Sequence, residues 1–66
     1  MNETRELILN AIGEIARLCP EQRIGQIIFN YVCAATPRND PFFISDEQLL
    51  EIIENTLQSI KSVKER

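Results

Sequence analysis

The sequence predicts an all-α fold, one small three-helix unit over residues 1–66 that is expected to oligomerise. Three observations lead there. Apolar residues recur at three- and four-residue spacing in three segments, about 3–18, 20–35 and 45–64. Each segment opens on a helix-start signal: Asn2, Pro20 or Ser45. The chain also carries about twenty-two large apolar residues from Leu7 to Val63, more than a compact three-helix unit of this length encloses.

The first segment has Asn2 as its capping residue, with Glu3 and Glu6 suited to the positive end of the helix dipole. At 100° per residue, Leu7, Ile8, Ala11, Ile12, Ile15, Leu18 and Cys19 share one broad face. Leu9, Gly13 and Ala16 form a second, smaller patch. A glycine inside a helix costs about 1 kcal/mol relative to alanine. Gly13 therefore marks either the close approach of another helix or a tolerated surface position.

Pro20 ends the first helix and opens the second, where its missing N–H is harmless at the first helical position. The spacing of Ile24, Ile28, Tyr31 and Ala35 gives this helix its inward face. The β-branched content of 27–32 also suits a strand, but strict alternation is absent and the helical spacing fits better. The run Thr36-Pro37-Arg38-Asn39-Asp40-Pro41 reads as a connection, because two prolines and Asn-Asp favour turns.

Phe42, Phe43 and Ile44 follow, apolar enough to fold back onto the core. Adjacent phenylalanines in an extended segment cannot both point inward, so one is expected to fill the core and the other to face solvent or a partner. The third helix has the clearest start. Ser45 caps, Gln48 completes a capping box, and Ile44 is placed to staple onto Leu49. Asp46, Glu47, Glu51 and Glu54 load its early turns, while Lys61, Lys64 and Arg66 sit at its end, both placements complementing the dipole. Its apolar residues spread over nearly half the circumference, so either it wedges between two helices or its outer edge, Ile52 and Val63, meets a second subunit.

Composition excludes several function classes. Ten acidic and seven basic residues give a net charge of −3, and no basic stripe of the kind that neutralises phosphates exists. No apolar run spans a membrane and no secretion signal opens the chain, so cytoplasmic residence is expected. There is no histidine and no Cys-x-x-Cys pair, so neither metal nor cofactor is expected. Cys19 and Cys33 read as small apolar residues on helix faces, a bridge between them being the minor alternative. Without an imidazole to serve as base or activate a thiol, no catalytic residue is expected and the chain is not read as an enzyme. Glu47, Glu51 and Glu54 read as a solvated acidic face.

One polar constellation stands out. Arg23, Gln26 and Asn30 are spaced i, i+3 and i+7 along one side of the second helix. They form either a recognition row for a partner or an inter-helix hydrogen-bond network in which Asp40 or Asp46 pairs with Arg23. Read as helix-turn-helix, the Cys19-Pro20 junction would make 21–32 a recognition helix with only those three base-reading groups. That alternative, a small transcriptional or nucleic-acid-associated regulator, is the weaker one.

Over about 18–54, Arg23-Ile24-Gly25-Gln26 with Asn30, followed by Asp40-Pro41-Phe42-Phe43-Ile44-Ser45-Asp46-Glu47-Gln48-Leu49-Leu50, resembles a group of short bacterial proteins of unknown function. They share an R-x-G-Q-x-x-x-N helix, an aromatic turn with aspartate and an acidic D-E-x-L-L helix. The resemblance implies a small stand-alone protein and brings no substrate, cofactor or catalytic residue. The expectation is a non-catalytic helical module that assembles with itself or binds another protein, a toxin-neutralising or immunity protein being one specific form. Its expected contact residues are Arg23, Gln26 and Asn30, or Phe42, Phe43, Ile52 and Val63.

Overall fold

A computed structural model describes residues 3–64, and among them there is no strand. Helix α1 (Glu3–Leu18) and helix α3 (Asp46–Lys64) lie where the spacing places them. The expected Asn2 cap and the Arg66 end charge fall outside the described residues. At α3 the capping box forms in full. The Ser45 amide donates to Gln48 Oε1 at 3.1 Å, and the Gln48 amide donates to Ser45 Oγ at 3.2 Å. Both staple residues, Ile44 and Leu49, are half-buried.

The middle helix departs from expectation in start, end, type and face. It opens at Ile24 rather than Pro20, as a short α-helical turn α2 (Ile24–Ile27) that runs directly into a π-helical segment (Ile28–Cys33). Pro20 does stop α1, because its ring nitrogen offers no hydrogen to the carbonyl one turn back. The chain then turns, with the Gln22 amide bonded to the Cys19 carbonyl at 3.1 Å, before helical geometry resumes. At the other end the Thr36 hydroxyl donates to the Cys33 carbonyl at 2.6 Å, and Pro37 has no N–H with which to continue.

The π segment explains the misplaced face. Its hydrogen bonds run i→i+5, as from the Ala34 amide to the Phe29 carbonyl at 2.9 Å, so residues five apart share a side. Ile27 and Val32 are therefore buried, whereas Ile24, Ile28 and Ala35, expected inside, are exposed and Tyr31 is half-buried.

Each helical element gives the centre one fully buried isoleucine: Ile15, Ile27 and Ile53. Ile8, Ala11, Cys19, Val32 and Leu57 complete the buried cluster. Helix α3 packs along α1 and also meets the π segment, so it does wedge between two helices. Gly13 is half-buried, and a Cβ built on it would meet only the end of Arg17 at 3.7 Å. No second helix crowds it, which leaves the tolerated-position reading.

Candidate functional site

The 36–45 connection is built from two short 3₁₀ turns, Pro37–Asn39 and Pro41–Phe43, each with proline at its first position. Arg38 and Asn39 both adopt φ 58°, a left-handed conformation that asparagine tolerates and that costs an arginine about 1–2 kcal/mol. The Asp40 carboxylate accepts the Phe42 amide at 2.9 Å and fixes the second turn.

The turn carries both aromatic rings outward. Phe42 and Phe43 meet edge to face, their centroids 4.9 Å apart and their planes at 71°. Neither fills the core, contrary to expectation: the 3₁₀ turn leaves both rings exposed and packed on each other. Beside Phe43 a depression of about 370 Å³ is lined by Pro37, Arg38, Asp40 and Ile44.

Arg23, Gln26 and Asn30 are all exposed, and their hydrogen bonds stay local. Gln26 Oε1 accepts the Arg23 amide at 2.8 Å, which is half of a capping box. The other half needs an acceptor on the first residue, and a guanidinium has none. Asn30 Nδ2 donates to Gln22 Oε1 at 3.2 Å, and Gln22 Nε2 donates to the Tyr31 hydroxyl at 2.9 Å. Among the described residues no bond from this row crosses to another helix, and Arg23 pairs with neither Asp40 nor Asp46. Among the described residues the ion pairs are Lys61–Glu14 at 3.2 Å and Lys64–Glu21 at 4.0 Å.

The two α3 edge residues part company. Ile52 is half-buried, whereas Val63 is exposed and lines an open groove of about 340 Å³ with Cys19, Glu21, Tyr31, Thr56 and Ile60. Cys19 is buried within 3.9 Å of the Tyr31 hydroxyl, Cys33 is half-buried, and both thiols are free. Glu47, Glu51 and Glu54 stand in solvent. Among the described residues no group of three acidic or cysteine side chains is arranged to hold a metal ion. Nor is any helix there long and apolar enough to cross a membrane.

Two participants escaped the sequence reading. Gln22 joins the polar row to Tyr31, a role that needs the turn at 20–23 to bring it over the next helix. Phe29 stands on the outer face of the middle helix beside Ile24 and Ile28. A sequence signal for that face did exist: the fourteen residues between Arg23 and Arg38 include no charged side chain. The chain matches no protein-family model, no curated protein and no solved structure.

Proposed function

We propose that this chain is a non-catalytic helical module that works by protein–protein contact, assembling with itself or binding another protein. The observation that supports this reading is the fate of its aromatic residues. The sequence has three phenylalanines, and Phe29, Phe42 and Phe43 are 66%, 80% and 85% exposed. Fully burying one such side chain stabilises a fold by about 1.5–3 kcal/mol. A chain this short has little core to spare, and small scaffolds commonly make up the deficit by oligomerising.

Large apolar side chains grouped on a surface mark interaction sites, whereas single ones do not. The free thiols suit a reducing compartment, and cytoplasmic residence belongs to the same proposal. So does membership of the short bacterial group that the Arg23-to-Leu50 pattern resembles.

The test combines two measurements on the full chain: light scattering after size exclusion over a range of concentrations, and affinity capture from a lysate. A mass rising above the single-copy 7.6 kDa, or a captured protein, supports the reading. A strict monomer that captures nothing sinks it.

A further inference from the structure

The middle helix holds one residue more than an α-helix places between two anchors on one side. Ile27 and Val32 are both buried and lie five positions apart, whereas α-helical bonding aligns residues three or four apart. The π segment Ile28–Cys33 absorbs the surplus residue. Ile27 and Ile28 are identical neighbours, yet Ile27 is 1% exposed and Ile28 43%. We propose that this helix exchanges between two registers. In the first, described above, Ile27 fills the core and the bonding is π. In the second, 24–33 is α-helical throughout, Ile28 takes the place of Ile27, and the surplus residue passes into the turn after Cys19. Both registers belong to a single copy of the chain, so this step does not depend on the protein-contact reading.

Four observations support the exchange. Isoleucine replaces isoleucine, so the core volume is conserved, which is the kind of core change best tolerated. The spacing also suits it. With Val32 held in place, Ile28 stands four positions before it and Ile24 four before that, one α-helical stripe. Ile24 is 59% exposed in the first register and moves one turn before Ile28 on the inward side in the second. Charge raises no barrier, because no charged side chain lies between Arg23 and Arg38 and the rotation carries none into the core.

The two ends of the helix are held unequally. At the far end Thr36 is 5% exposed, and its hydroxyl and amide both bond the Cys33 carbonyl, at 2.6 and 3.1 Å. At the start, Arg23 offers no side-chain acceptor, and the Gln26 Oε1 bond to its amide is what marks the position. The slide gives up that bond and lengthens the preceding turn by one residue, a small entropic cost. The second register is therefore the minor one. It draws Ile24 and Ile28 inward and turns Ile27 out, so the exchange decides which apolar face the chain shows.

Amide relaxation dispersion on the full chain tests this, since helix register shifts fall in the microsecond-to-millisecond window it reads. Exchange is expected at the amides of 24–31, with one common rate, no dependence on protein concentration and a minor state of about 0.1–10%. Ile28→Glu keeps a surface residue at the surface in the first register but buries a carboxylate in the second. It is expected to abolish the exchange while circular dichroism stays unchanged. Should it fail to fold, Ile28→Gln takes its place with the same expected loss. Deletion of Ile28 removes the surplus residue and is expected to give a folded chain with i→i+4 bonding across the helix and no exchange.

Flat profiles in wild type, or exchange that survives substitution of Ile28, overturn the two registers. So does a deletion variant that unfolds or keeps i→i+5 bonding. Exchange that grows with concentration overturns them too, and supports the protein-contact reading instead.

Discussion

The helix spanning 24–33 is far more apolar than helix α3, seven of its ten residues against seven of nineteen, and the two are held by different means. Helix α3 is specified locally. A full capping box starts it, acidic residues fill its first turn and lysines its last. The middle helix has none of this. Its first residue offers no side-chain acceptor, its span carries no charge, and most of it is π-helical, a form rarely stable alone. What holds it is Ile27 and Val32 in the core, plus Gln22 reaching over to Asn30 and Tyr31. One helix owes its shape to its own sequence, the other to its neighbours.

Removing a core isoleucine from each helix tests that contrast with the largest effect. Ile53 and Ile27 are both fully buried, so Ile53→Ala and Ile27→Ala should each cost about 2–5 kcal/mol in urea denaturation. The two should differ in where the damage falls. After Ile53→Ala, amide exchange within α3 remains among the slowest in the chain. After Ile27→Ala, exchange across 24–33 rises to that of an open segment, because no local device replaces the lost contact. Equal protection of the two helices in the two variants would erase the distinction.

The same contrast explains what the sequence revealed. Helices α1 and α3 were legible because spacing and end charges point one way in both, and at α3 the cap does too. The middle helix was legible as a helix and misread as a surface. Three- and four-residue spacing assigned Ile24 and Ile28 to the core, but i→i+5 bonding turned Ile27 and Val32 inward instead. Three- and four-residue spacing carries no signal for a π turn, and the segment's packing against α3 is not written in that spacing. Phe42 and Phe43 were rightly singled out, but their shared exposure depended on the Asp40 and Pro41 turn, not on the extended chain assumed for them.

Capping gives a smaller and opposite pair of effects. Ser45→Ala removes the acceptor for the Gln48 amide and should cost about 1 kcal/mol. Arg23→Ser places at the start of the middle helix the acceptor that an arginine lacks, completing the box whose Gln26 half already exists. It should gain about 0.5–1 kcal/mol. Thermal unfolding of both variants reads the signs directly. A loss from Arg23→Ser would mean that the guanidinium makes a stabilising contact of its own.

The surface charges of α3 should matter least. Lys61 reaches Glu14 at 3.2 Å and Lys64 reaches Glu21 at 4.0 Å, all four side chains at least a third exposed. Exposed pairs of this kind contribute about 0–1 kcal/mol and are screened by salt. Lys61→Met should lower stability by less than about 0.5 kcal/mol in dilute buffer, with no difference from wild type at high salt. Lys64→Met, at the longer distance, should change nothing measurable. The outcome bears on the other helix. If charges like these add so little to folding, then leaving 24–37 without any costs the fold almost nothing. What the absence changes is the surface, which over that stretch is apolar and neutral. A large loss from Lys61→Met would reverse this argument, making the uncharged helix a weakness of the fold and not a property of its face.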